Sequence, residues 1–250
     1  MSMFVLALVA GAVIGIALGA LGGGGGILAV PALIYLLGFA PAAATTAGLI
    51  IVTATSATAL YAHARDGNVA WRTGALFAAA GVVPAFLAGA VAGRVPEALL
   101  TGAFALIAAL AAVRMLRRTA DAGPQRPVRH VEAAGAGAGL GAVTGLLGVG
   151  GGFLAVPALV NVLGLRMRRA VGTSLLVITV NSLAALTART GTGGELPWEV
   201  IAPFAGAAVL GAWDGKRLSV KVDGARLQRI FAFVLLGVAA AMLVATVAGR

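Results

Sequence analysis

Long apolar stretches separated by short polar loops run through the whole chain. In the first half they cover roughly 3–21, 43–63, 70–92 and 98–114, and in the second roughly 133–147, 170–188, 198–213 and 227–248. A helix needs about 17–25 such residues to cross a ~30 Å hydrocarbon core. The stretches are too many and too widely spread to be one cleavable signal peptide. The first, from Phe4 to Leu21, has neither a basic flank nor a cleavage site, so it reads as retained. Between the first two segments of each half lies a shorter apolar piece, Ile27 to Leu37 and Phe153 to Leu163. At ~1.5 Å per residue it covers only ~17 Å. The pattern predicts an all-α polytopic membrane protein in which these pieces are membrane-embedded half-helices.

The chain is also doubled. Sliding it so that Gly11 falls on Gly137 aligns Gly11 to Leu60 with Gly137 to Leu186, with Gly15/Gly141, Gly24/Gly150, Pro31/Pro157, Gly38/Gly164, Thr53/Thr179 and Ser56/Ser182 identical. One residue of slippage then pairs Trp71 with Trp198 and Phe104 with Phe231. Leu-Gly-Gly-Gly-Gly-Gly-Ile-Leu-Ala-Val-Pro-Ala-Leu, from Leu21 to Leu33, returns as Leu-Gly-Val-Gly-Gly-Gly-Phe-Leu-Ala-Val-Pro-Ala-Leu, from Leu147 to Leu159. The repeats are 1–113 and 133–250, joined by a linker over 114–132. Consecutive glycines weaken a helix, and a glycine interruption in corresponding positions of two hydrophobic halves points to a transporter's binding site.

Composition agrees: 60% of the 250 residues are hydrophobic and 10% charged, where a soluble domain averages about 25% charged. The net charge of +10 does not indicate nucleic acid, because its cations lie in short loops between apolar segments, where they set orientation. Arg114, Arg117, Arg118, Arg126 and Arg129 place the linker in the cytoplasm. The loops with Arg166, Arg168 and Arg169, with Lys216, Arg217, Lys221, Arg226 and Arg229, and with Arg65 and Arg72 follow it there. Poorly charged loops at 38–42, 94–97 and 189–197 go outside. The two repeats then insert upside down relative to each other, and both chain ends come out external. That is the inverted-repeat architecture of many secondary transporters.

Broken backbone at membrane depth survives only inside protein or beside a wet cavity. Each break precedes a half-helix whose free N–H groups and positive dipole end favour an anion. The candidate substrate-binding residues are therefore Gly23, Gly24, Gly25, Gly26, Gly150, Gly151 and Gly152, with Thr45, Thr46, Thr173, Ser174 and Asn181 as hydrogen-bond donors on the following helices. Thr53, Thr58 and Thr179 read as bonding back to their own helices. Gly89/Gly93 and Gly211/Gly215 read as helix-packing pairs, and such a face allows a homodimer. His63 reads as interfacial, Asp214 as a partner of Lys216 or Arg217, and Trp71, Trp198 and Trp213 as interface anchors. The chain has no cysteine. It also lacks HExxH, paired carboxylates and a P-loop lysine, so an enzyme, a metal site and a cofactor are not expected.

The doubled glycine and Leu-Ala-Val-Pro-Ala-Leu motif resembles the sulfite exporter TauE/SafE family of bacterial membrane transporters. So do Ala-Val-Gly-Thr-Ser-Leu at Ala170 to Leu175 and Gly-Asn-Val-Ala-Trp at Gly67 to Trp71. The resemblance covers nearly the whole chain outside the linker. It implies export of small sulfur-containing anions, sulfite or organosulfonates, across the inner membrane. The family's Thr-Ser pair is Thr173 and Ser174, whereas the aligned first-half residues are Ala47 and Gly48. The second repeat is then expected to supply most side-chain contacts. The expected mechanism is alternating access, one repeat rocking against the other around the breaks. An anion channel with the same sites, or a non-transporting subunit of a larger complex, are the rival readings.

Overall fold

The computed structural model describes residues 3–23, 26–92, 97–117, 130–147, 152–188 and 196–247. Ten α-helices occupy them, with no strand among the described residues: α1 Met3–Leu21, α2 Gly26–Pro31, α3 Pro41–Arg65, α4 Trp71–Ala92, α5 Glu97–Arg117, α6 His130–Leu147, α7 Gly152–Asn161, α8 Met167–Ala188, α9 Trp198–Lys221 and α10 Gly224–Val247. Among the described residues five stretches are long and apolar enough to cross a membrane, Met3–Leu21, Ala43–Arg65, Trp71–Ala88, Met167–Thr187 and Gly224–Ala241. Phe86, Leu106 and Leu210 are more than two-thirds exposed, as helices bathed in lipid require.

Helix α9 continues past the expected end at 213 to Lys221, and α5 and α6 reach into the linker range to Arg117 and from His130. Charged residues end an apolar stretch without ending the backbone hydrogen bonding that makes a helix. The rest of the linker, 118–129, lies outside the described residues.

Both half-helices are present. α2 runs on through a π-helical turn, Ala32–Leu36, giving 11 residues from Gly26 to Leu36, and α7 has 10. Each ends in the same way. Gly38 and Gly164 adopt φ of 68° and 67°, the left-handed geometry that glycine tolerates. The next amide reaches six residues back in both, Phe39 to Leu33 and Leu165 to Leu159, at 3.0 Å.

Pairing between the halves is equally regular. α1 lies against α9 so closely that a Cβ on Gly15 would stand 2.7 Å from the Ala208 Cα, and one on Gly11 3.2 Å from the Phe204 Cα. Gly211 and Gly215 face Ala12 and Ile16 of α1 from the other side, the packing role expected of them. α4 and α6 make the matching pair: Gly141 would clash with the Gly81 backbone and Gly137 with that of Phe77. In both pairs residue numbers rise together, so the helices are parallel. α3 and α8 instead run antiparallel, joined at Ser56 with Thr179 and at the α3 end by Ala70 with Thr173. One buried cluster gathers α1, α2, α3 and α9 around Ile51, Leu33 and Phe204. A larger one gathers α4 to α8 and α10, with parts of α1, α3 and α9, around Phe77, Leu175 and Phe231.

Polar contacts collect the cationic ends on one face. Lys216 pairs with Asp66 at 2.5 Å. Arg168 donates to the Val220 and Val222 carbonyls, and Gln228 donates to that of Met115. The ends of α3, α5 and α9 and the starts of α8 and α10 therefore share a side.

Candidate anion site at the glycine breaks

Helix α1 stops at the first glycine run. The Gly22 amide still donates to the Leu18 carbonyl at 2.9 Å, but its φ of 76° turns the chain out of the helix. Gly23 is buried, and Gly26 opens α2. The second break falls between Leu147 and Gly152, the first residue of α7. Gly24, Gly25, Gly150 and Gly151 lie outside the described residues.

What the first break touches comes from the other repeat. A Cβ on Gly22 would stand 2.5 Å from the Ser174 Oγ, 3.1 Å from Val156 Cγ2 on α7 and 3.3 Å from the Val171 Cα on α8. The half-helices α2 and α7 also contact one another. α2 packs on its own α3 at Gly48, where a Cβ would meet Val30 Cγ2 at 2.9 Å. No ionisable side chain belongs to α1, α2 or α7, so the polar character at this crossing comes from backbone and hydroxyl groups.

The side chains proposed from sequence divide by position. Ser174 is fully buried against Gly22, its hydroxyl donating to the Val171 carbonyl at 2.7 Å. Thr173, also fully buried, accepts from the Ala70 amide at 3.0 Å and donates to the Arg169 carbonyl at 2.6 Å. Its hydroxyl ties the 66–70 loop to α8. Thr45 and Thr46 are half-buried near the start of α3, while Asn181 is exposed two turns beyond Ser174. Thr58 and Thr179 bond back to Ala54 and Leu175, and Thr179 adds the bridge to Ser56. A large groove beside α1, lined by Val9, Val13, Leu28 and Tyr35, is apolar and open, which suits lipid rather than an anion.

The burial of His63, 1% exposed, and the pairing of Lys216 with Asp66 were not readable from sequence alone, while Asp214 pairs with Arg217 at 3.5 Å as expected. The four-residue spacing of Gly11, Gly15 and Gly19 is the sequence signal for the α1–α9 contact.

The family profile described as "Sulfite exporter TauE/SafE" matches residues 7–242. A probable membrane transporter protein of Xylella fastidiosa strain 9a5c is 33% identical over 237 residues, covering 92% of this chain and 90% of that protein. One of Haemophilus influenzae is 27% identical over 183 residues, covering 69% and 68%. No solved structure matches. Its apolar helices and the match over nearly its full length make this chain a multi-pass membrane protein belonging to the sulfite exporter TauE/SafE family.

Proposed function

We propose that the protein is a secondary transporter that exports a small sulfur-containing oxyanion, sulfite or an organosulfonate, across the bacterial inner membrane by alternating access. The observation that carries this reading is the seating of the first glycine break on Ser174 and Val156 of the second repeat. A helix interruption buried against another half-helix places amide donors where no lipid competes for them. The first interruption, and the glycine run that repeats it in sequence at Gly148–Gly152, would offer an anion partial positive charge without a formal cation to hold it too tightly. Ser174 packs against the first turn, and Thr45 and Thr46 lie near the start of the helix that follows it.

Antiparallel α3 and α8, together with the exchanged pairs α1–α9 and α4–α6, support an inverted repeat, because a two-fold axis in the membrane plane produces that pattern. The gathered cationic ends support a cytoplasmic face for Arg65, Arg117, Arg168 and Lys216. The family description and the transporter names of the relatives support transport as the activity.

Purified protein in proteoliposomes tests it. Gly25→Leu or Gly151→Leu should abolish sulfite and sulfonate efflux while membrane insertion and folding are retained. Unchanged efflux in both variants refutes the site, and ohmic single-channel current in the wild type replaces the carrier with a channel.

A further inference from the structure

His63, in the last turn of α3, is buried, and the transport step above leaves it idle. Its Nε2 lies 3.1 Å from the Gly19 carbonyl. A carbonyl only accepts, so Nε2 carries the proton and donates. Gly19 belongs to the last turn of α1, where carbonyls lack partners within the helix, and Gly22 turns the chain away just beyond it. The imidazole thus caps α1 at the edge of the first break. The second ring nitrogen, Nδ1, is buried with no hydrogen-bond partner. Orphaned buried polar atoms are rare enough that each calls for a cause.

The charges around the ring are few. Asp66 and Lys216 of α9 act on it and are paired with each other. α1 brings no ionisable group, and α8 approaches His63 at Gly172, where a Cβ would stand 3.3 Å from the His63 Cβ. Arg65 lies over the Tyr61 ring, Arg168 is held by the Val220 and Val222 carbonyls, Arg169 is exposed, and Asp214 pairs with Arg217. Beside a compensated ion pair, one added charge is felt strongly. The ring bonds Gly19 and the His63 Cβ faces Gly172, which lie three residues before Gly22 and two before Ser174, the pair that packs at the break.

We propose that His63 is a proton-binding site coupled to anion binding. The neutral ring, with Nε2–H on Gly19, holds the end of α1, and the lone pair of Nδ1 takes a proton from hydronium when a negative charge occupies the adjacent break. One O–H bond of the hydronium breaks as Nδ1–H forms, leaving imidazolium and a water molecule, and the Gly19 hydrogen bond stays. A ring 1% exposed admits no larger ligand at Nδ1 than a proton. An opposite charge within about 4–6 Å favours the charged form, and linkage is reciprocal, so the proton tightens anion binding by the factor that the anion tightens the proton. This rests on the transporter reading and adds a coupling ion to it.

Nitrogen-15 NMR of histidine-labelled full-length protein in lipid nanodiscs reads the tautomer directly. The chain has two histidines, and the His63→Gln spectrum assigns them. Methanesulfonate is the probe because its charge is constant between about pH 5 and 8, the window in which histidine switches. The expected result is an Nε2–H neutral ring at the top of that window and a protonated form that grows as pH falls. At fixed pH, saturating methanesulfonate should raise the protonated-to-neutral ratio at least about fivefold. Methanesulfonate efflux from proteoliposomes should follow the same titration. It should become flat with pH in His63→Gln, whose amide keeps a donor for Gly19. A ring that stays neutral throughout, with and without the anion, overturns the proposal, as does a His63→Gln variant that keeps the wild-type pH profile. Methanesulfonate that neither binds nor moves at any pH, with sulfite equally inert, refutes the transporter reading instead. The anion-free titration then decides for His63: uptake of a proton at Nδ1 upholds the site, and a permanently neutral ring removes it.

Discussion

Adding one methyl group at Gly22 probes the contact on which the site depends. Two penalties add. An alanine at φ 76° adopts left-handed backbone, at a cost of roughly 1–2 kcal/mol. Its Cβ would also stand 2.5 Å from the Ser174 Oγ and 3.1 Å from Val156 Cγ2, where ordinary contacts between heavy atoms fall at about 3.5–4.0 Å. Overpacking of that kind costs about 1–3 kcal/mol. Gly22→Ala should therefore destabilise the protein by roughly 2–5 kcal/mol. Ser174→Ala removes the nearest atom and relieves the steric part alone. In a double-mutant cycle the pair should show a favourable coupling of about 1–2 kcal/mol, inside the usual range for residues in contact, and the backbone part should remain. Reversible unfolding in mixed micelles, or steric trapping in bicelles, measures the four proteins, and sulfite efflux follows in parallel. Additivity within about 0.3–0.5 kcal/mol, the behaviour of sites that do not touch, would show that the first break does not sit on the second repeat.

Thr173→Val should lower stability by about 1–3 kcal/mol, because the half-buried Ala70 amide loses its acceptor, whereas Thr173→Ser keeps it. Thermal unfolding in detergent distinguishes them, and equal stability of all three would contradict the loop-fixing role. Alkaline phosphatase fused after the last residue should be active, and a fusion in the linker between Arg117 and His130 inactive. The opposite pattern would invert the orientation read from the basic loops.

The breaks themselves were legible because five glycines in an apolar run have no helical explanation, and their recurrence fixed the halves. Half-helix lengths followed from the distance between Gly26 and Gly38. Hydropathy misplaced the end of α9, since Asp214 to Lys221 stays helical outside the apolar layer. The roles of hydroxyls were harder. Thr173 and Ser174 are neighbours of the same chemistry, yet one binds an amide 103 residues away and the other faces a glycine turn. His63 reads as interfacial beside Arg65, and the sequence carries no sign of its burial or of its bond to Gly19. Tertiary partners decide such cases, and spacing along one helix does not encode them.

The glycine-tight pairing of α1 with α9 and of α4 with α6 bears on how the protein is made. Neither half carries the surface that its own first helix needs. Gly11 leaves the ribosome roughly 190 residues before Phe204, which at about 5–20 residues per second is a wait of roughly 10–40 s. Throughout that interval the flat face of α1 has only lipid or an insertion factor to lie against. Biogenesis therefore closes late, when the penultimate helix arrives, and a truncated product lacking α9 should be a substrate for membrane quality control rather than a working half-protein.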